Sequence, residues 1–257
     1  FRPNMSLILQ DKIPYDVSSK SLPGTMPLDM HDWLWQDEAF AAQMALRDEL
    51  IQSRPRDVIA MQDGSEEAAQ ELLDTVLTWL GEHGKDYRIE TRQVTRPDGV
   101  TIPLDRDAPM VTLGRLVQED LCLMQKRGDE HVLTAAVLCF PANWYLSEKI
   151  GRPLTMIHDP VPDYDASIAQ RVQRLFDGVQ PERPLWRFNA LHYEDPALFQ
   201  PERRHGEYKG LHAEVFPFFR SERQCILRLP KTRACVFSIH TFVIAKEAQN
   251  TNRSETL

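Results

Sequence analysis

Apolar positions keep a helical period through the first third of the chain and gather into short strand-like runs behind it. From Asp32, the string WLWQDEAFAAQMALRDELIQS sets Trp33, Phe40, Met44 and Leu50 among polar residues at broadly helical spacing, which predicts two helical pieces. Ser65 opens SEEAAQELLDTVLTWLGEHG, with Glu66 and Glu67 in the first turn, Leu72, Leu73, Val76, Leu77 and Leu80 along one face and Gly81 near the end, the marks of a helix. Residues 85–109 carry the turn sequence Pro97-Asp98-Gly99 and predict an exposed hairpin or loop. Leu116–Gln125 and His131–Phe140 then read as strands, joined through Arg127-Gly128-Asp129, a composition suited to a hairpin.

Pro141 opens a short helix expected over about Asn143–Ile150, which Gly151 and the Arg152-Pro153 step bring to a stop. The string SIAQRVQRLFDG places Ile168, Val172, Leu175 and Phe176 on one helical face, with Gly178 as its end. Three further strands are expected at Leu185–Tyr193, Gln224–Leu229 and Cys235–Ile244, the last two linked by Pro230–Arg233, and Asp195–Phe219 is expected as a long loop. Two strands, a group of helices and three strands make an α+β, PAS-like order: an antiparallel sheet with helices enclosing one face. The expected division is an arm and helical extension over 1–110, a PAS-like core over 111–247 and a polar tail over 248–257.

At 257 residues the chain forms one large domain, or a core with an extension, and can bury a substantial interior. A net charge of −8 argues against nonspecific nucleic-acid binding, which depends on many cations. Cys122, Cys139, Cys225 and Cys235 each sit in an apolar run and contain no CxxC pair, so buried, reduced thiols are expected. The longest apolar run, Val132–Phe140, is too short for a bilayer, and no targeting pattern precedes it. Together these features predict a soluble, cytoplasmic protein. The sequence opens on Phe1, with Met5 close behind, so Phe1–Asn4 carry no reading.

The segment with the most chemistry is FPANWYLSEKIGRPLTMIHDPVPDY, residues 140–164, because it confines His158 between an apolar turn and a corner stiffened by Pro160 and Pro162. A neutral imidazole held in that way suits an iron or zinc ion, and equally suits a buried histidine bonded to Asp159 or a carbonyl. Lys149, next to Glu148, reads as a solvated helix pair. No GxGxxG fingerprint, HExxH pair or GxSxG elbow occurs.

Four strings taken in order resemble the haem-dependent oxidative N-demethylases, whose α-subunit is a haem-binding PAS domain: PLDMHDWLWQD, the 140–164 segment, PLWRFN and SERQCILRLPKTRACVFSIHTF. They span positions 27–242. Ala190 and His240 depart from the family pattern, which has an aromatic and an arginine at those places. The resemblance implies a chain that binds haem and uses O₂ to remove one methyl group, as formaldehyde, from a small secondary amine such as dimethylamine. It implies electrons from NADPH, with FMN, a 2Fe-2S centre and tetrahydrofolate on partner subunits.

On that resemblance His158 is the proximal iron ligand, with His131, His192 and His240 as competitors. Arg187 and Asn189, two apart on an expected strand, share a face and would enter one pocket, where donors polarise O₂. Glu222 would hold the protonated amine, Arg223 would add a cation, Arg228 would reach a haem propionate, and Tyr164 would donate to a pocket group or close the proline corner. Surface ion pairs remain the alternative for these charges. A haem gas sensor without turnover, or a hydrolase, are the other functional readings, and an absorption spectrum followed by O₂ uptake with amine separates them.

Overall fold

The computed structural model describes residues 7–17, 24–157, 166–202 and 215–248. His158, Asp159, Pro160, Pro162 and Tyr164 lie outside the described residues, as do the polar tail beyond residue 248 and residues 203–214 of the loop expected over 195–219. The chain is α+β. A 3₁₀ turn at Met30–Asp32 precedes α1 (Phe40–Ser53) and α2 (Pro55–Val58); of the two helical pieces expected over 33–53 the structure forms one, α1, and residues 33–39 are not helical. Helix α3 covers Glu66–His83. Residues 85–109 fold into a small three-stranded sheet of β3 (Arg88–Ile89), β4 (Gln93–Thr95) and β5 (Thr101–Pro103), in which Pro97-Asp98-Gly99 makes the β4–β5 turn with Gly99 at φ +82.

The larger sheet has seven strands, all antiparallel, in the order β1-β8-β9-β10-β6-β7-β2. Along the chain the hairpin β6 (Asp120–Arg127) and β7 (Glu130–Val137) is followed, after α5 (Leu146–Lys149), α6 (Leu154–Ile157) and α7 (Ala166–Gly178), by β8 (Leu185–Tyr193), β9 (Phe218–Arg228) and β10 (Cys235–Ala245), and β10 is the middle strand. The first 110 residues supply β1 (Met26–Pro27), paired to β8, and β2 (Ile59–Met61), paired to β7.

Residues opposite each other in an antiparallel ladder share a face. On one face Ile226, Phe237, Ile239, Cys122 and Met124 pack under Leu146, Leu154, Phe176 and Val179, so α5–α7 cover it. The other face, with Leu121, Leu123, Leu227 and Val236, packs on α1, α3 and α4 (Pro109–Gly114) in the main core. Close approach there needs a glycine. A Cβ on Gly114 would stand 2.5 Å from Val137 Cγ2 and 2.8 Å from Ile51 Cδ1. An ion pair of Arg47 and Asp120, 2.7 Å apart with side chains 0% and 1% exposed, ties α1 to β6. Asp120 also accepts the Cys139 and Phe140 N–H groups at 2.7 and 2.9 Å, which fixes the start of the 140–164 segment.

Three further expectations are corrected. The helix expected from Asn143 begins at Leu146, because Asn143 adopts the left-handed region at φ 63. Lys149, expected to be solvated, is buried and donates to the Ile157 carbonyl. Strand β9 begins at Phe218, six residues before the expected start, so FFRSER belongs to the sheet. Upstream of His158 the chain is strapped to β7: Leu133 N–H donates to Arg152 O at 3.1 Å and Gly151 N–H to Leu133 O at 2.8 Å. All four cysteines are free and buried.

Candidate functional site

On the helix-covered face, the β8–β9 ladder sets Arg187 opposite Gln224, Asn189 opposite Glu222 and Leu191 opposite Arg220. The β9–β10 ladder continues the row from Glu222 to Thr241. Strand periodicity therefore gathers a cluster of polar side chains onto a face otherwise lined by apolar ones.

Glu222 is the hub. Its Oε2 accepts from Asn189 Nδ2 at 3.0 Å and Gln224 Nε2 at 3.3 Å, and its Oε1 from Arg220 Nη2 at 3.3 Å. Asn189 Oδ1 in turn accepts the Glu222 N–H at 3.1 Å, so one amide grips both the side chain and the backbone of its partner. Arg187 Nη1 donates to Gln224 Oε1 at 2.9 Å. Gln224 thus stands between a cation and an anion, which fixes its amide: oxygen toward Arg187, nitrogen toward Glu222. Arg220 also donates to Phe140 O at 2.6 Å and Leu198 O at 3.2 Å, closing the loops on either side.

Three polar atoms in this row, Arg187 Nε, Arg220 Nε and Thr241 Oγ1, are buried without a hydrogen-bond partner. Arg187 is the most demanding of the three. Burial lowers its pKa, the Glu222 charge opposes that, and the direct partner of its guanidinium is a neutral amide. A desolvated cation so placed attracts a negatively charged ligand group.

The structure brings Arg187, Asn189 and Glu222 together, and puts Arg223 elsewhere. Arg223 points to the opposite face, donates to Trp33 O at 3.1 Å and Asp32 O at 2.6 Å, and lies over the Trp35 ring at 4.2 Å and Trp186 at 5.2 Å. It anchors the front segment to the back of the sheet. Arg228 donates from Nε to Val179 O at 2.7 Å, from Nη1 to Arg233 O at 2.6 Å and from Nη2 to Phe176 O, stapling the end of α7 to the β9–β10 turn. His158 and Tyr164 are outside the described residues. Gln224, Arg220 and Thr241 were not singled out by sequence. The available signal was the period of two from Glu222, extended across the ladder.

The competing histidines are occupied by other parts of the fold. His131 Nδ1 meets Gln173 Nε2 at 2.8 Å and its Nε2 lies 3.7 Å from Cys235 Sγ. His192 pairs with Phe219 on the opposite face, ring centroids 4.8 Å apart. His240 is held between two carboxylates, Nδ1 to Glu119 Oε1 at 2.9 Å and Nε2 to Asp37 Oδ2 at 3.0 Å. Burial alone would lower its pKa, but the bonds and charges of Asp37 and Glu119 outweigh it and push the value up to about 9. Asp37, drawn the other way by burial, is brought below the usual carboxylate range by His240, Gln118 and Gln10.

A concavity of about 380 Å³ lies against the front segment and includes Trp35, Asp37, Trp79, His83 and Phe242. It is separate from the polar row on β8 and β9. No described helix is long and apolar enough to cross a membrane. Over residues 24–255 the chain matches the family described as haem-dependent oxidative N-demethylase, alpha subunit-like, and it belongs to that family.

Proposed function

We propose that this chain is the haem-carrying, oxygen-using subunit of a multi-subunit oxidative N-demethylase acting on a small secondary amine such as dimethylamine. The balanced reaction is (CH₃)₂NH + O₂ + 2e⁻ + 2H⁺ → CH₃NH₂ + CH₂O + H₂O. Two electrons come from NADPH through partner subunits that carry FMN and a 2Fe-2S centre, and a tetrahydrofolate-binding partner takes up the formaldehyde carbon. A cytoplasmic location and a PAS-like core over residues 111–247 belong to the same reading. The hairpin, helices and three strands in that order support it.

The residues present fit haem. The covered face is apolar along Ile226, Phe237 and Ile239, and beside it the half-buried Arg187 has a buried, unpartnered Nε for an anionic group. His158, the next residue after the strapped 150–157 segment, would hold the iron, and Tyr164 would donate to the pocket. When bound, haem supplies the iron at which O₂ is activated.

The observation that carries the reading is a chain of polar contacts on one face of the sheet: Arg187 bonds Gln224, Gln224 bonds Glu222, and Glu222, also met by Arg220 at 3.3 Å, keeps one further acceptor position. Glu222, oriented by Asn189, binds the protonated amine. Arg187 stabilises negative charge as it develops on oxygen, a contact worth roughly 10²-fold in rate when preorganised. Arg220 closes the loops at Phe140 and Leu198 over the row and helps exclude water. Arg223, from behind the sheet, fixes the strand on which Glu222 stands.

The test is spectroscopic and kinetic. Purified chain should show a Soret band, His158→Ala should lose it or recover it only with added imidazole, and O₂ uptake should require dimethylamine and a reductase together. A haem-free protein, or a haem protein with no amine-dependent uptake, would refute the enzyme reading.

A further inference from the structure

Thr241 stands directly opposite Glu222 in the β9–β10 ladder. It is 1% exposed, and its Oγ1 is one of the few buried side-chain atoms without a hydrogen-bond partner. The residue is not loosely placed. Its carbonyl accepts from Gln10 Nε2 at 3.1 Å and Gln43 Nε2 at 3.2 Å, so the backbone is fixed from the neighbouring side while the hydroxyl is left over. Buried hydroxyls ordinarily find partners, and one that does not points to a group that arrives later.

Glu222 offers the matching vacancy in its acceptor count. Each carboxylate oxygen accepts two hydrogen bonds. Oε2 has both, from Asn189 and Gln224, whereas Oε1 has one, from Arg220. One acceptor position on Glu222 and the lone pairs of Thr241 therefore remain, on adjacent strands and on the same face. Cross-strand Cβ atoms lie about 4.5–5.5 Å apart. Two acceptors that share one tetrahedral nitrogen, each at about 2.8 Å, are themselves about 4.5 Å apart. Side chains that start from such neighbouring positions can both reach one nitrogen that carries two N–H bonds.

We propose that Thr241 is a specificity-determining residue: Glu222 takes one N–H of a secondary ammonium and the Thr241 hydroxyl takes the other. This rests on the amine-oxidising reading above. A secondary ammonium satisfies both acceptors. A tertiary ammonium has a single N–H, leaves the hydroxyl unpartnered and turns a third alkyl group toward it, which a buried polar atom disfavours. Gln224 keeps Arg187 one side chain away from Glu222, so Arg220 alone among the described cations meets Oε1 and the ammonium takes the second position on that oxygen.

Calorimetric titration of the oxidised holoprotein with dimethylammonium chloride and with trimethylammonium chloride, with no reductant present, tests this without turnover. Wild-type protein should bind the first at least tenfold more tightly, Thr241→Ser should keep that ratio, and Thr241→Val, equal in shape but lacking the hydroxyl, should reduce it about tenfold with no loss of melting temperature. An unchanged ratio in Thr241→Val, or an equal weakening for both amines together with a lower melting temperature, would overturn the assignment. Glu222→Gln separates the two levels of the argument. If it abolishes binding of both amines while Thr241→Val leaves the ratio intact, only the role of Thr241 falls. If it leaves dimethylammonium binding intact, the amine site itself is wrong and the Thr241 assignment falls with it.

Discussion

Asn189 and Glu222 close a ring of two hydrogen bonds across the β8–β9 ladder, the amide donating to the carboxylate at 3.0 Å and accepting the Glu222 peptide N–H at 3.1 Å. The orientation of the carboxylate is thereby referred to the backbone of its own strand. A carboxylate held this way loses little freedom on binding a cation, which is the advantage of preorganisation.

Replacing the ring members should produce graded effects. Glu222→Gln should keep the Soret band and lower amine-dependent O₂ uptake by roughly 10²-fold or more. Asn189→Leu leaves the charge but releases its geometry, and should cost about tenfold, mainly in KM. Steady-state O₂ consumption against amine concentration reads both. Equal losses in melting temperature with unchanged kinetics would mark a surface-style ion pair instead.

The Arg47–Asp120 pair should dominate stability. Arg47→Met leaves Asp120 buried beside the main core without its cation, and should lower unfolding free energy by about 3–5 kcal/mol, read from the urea midpoint. Burial already raises the pKa of Asp120, so part of the effect should appear as proton uptake by that carboxyl. Adding Asp120→Asn to Arg47→Met should recover a portion of the loss.

His240 gives the fold a pH dependence with a definite sign. Its pKa is higher in the folded chain, about 9, than the ordinary 6.5, so its contribution is complete below about pH 6.5 and is lost as pH rises through 9. That difference corresponds to about 3 kcal/mol. Asp37 acts in the opposite sense: its pKa is depressed, so its contribution is present above the usual carboxylate range and is lost in acid. Thermal midpoints measured from pH 6 to pH 10 should fall in wild type. They should fall much less in His240→Phe, which begins from a lower midpoint.

Arg228→Met should lower the melting temperature and leave haem per chain unchanged, because the guanidinium is committed to carbonyls of Phe176, Val179 and Arg233. Loss of haem with an unaltered melting temperature would return Arg228 to the cofactor. Absorbance at the Soret maximum per mole of protein decides between them.

The sequence was most readable where one periodicity ran uninterrupted. Helix α3 and strand β8 fall within a residue or two of their expected limits, because the apolar stripe of Leu72, Leu73, Val76 and Leu80 and the strand LWRFNALHY each follow a single rule. The reading failed at β9. Arg220, Glu222 and Gln224 lie on the face that α5–α7 pack against at Ile226, where a strand ordinarily places apolar side chains, so the solvent-type and core-facing polar positions could not be told apart and the strand was expected only from Gln224. The same irregularity hid part of the candidate site. Arg187, Asn189 and Glu222 were reachable from spacing and resemblance, while Thr241 and Gln224 became visible only through the ladder that sets them beside Glu222. Arg223 was misdirected by one position: adjacent strand residues face opposite ways, and its neighbour faces the row.

Finally, the four buried cysteines bear on how a chain that handled O₂ as proposed would resist oxidation. Burial raises every one of their thiol pKa values, that of Cys235 to about 11 and those of Cys139 and Cys225 to about 12. Thiolates are what peroxide attacks, and here almost none exist at neutral pH. Reduced oxygen leaking from unproductive cycles would therefore find no fast sulfur target among the cysteines. Wear should accumulate instead as sulfoxide on the exposed methionines Met26, Met61 and Met156, a lesion that repair enzymes can reverse.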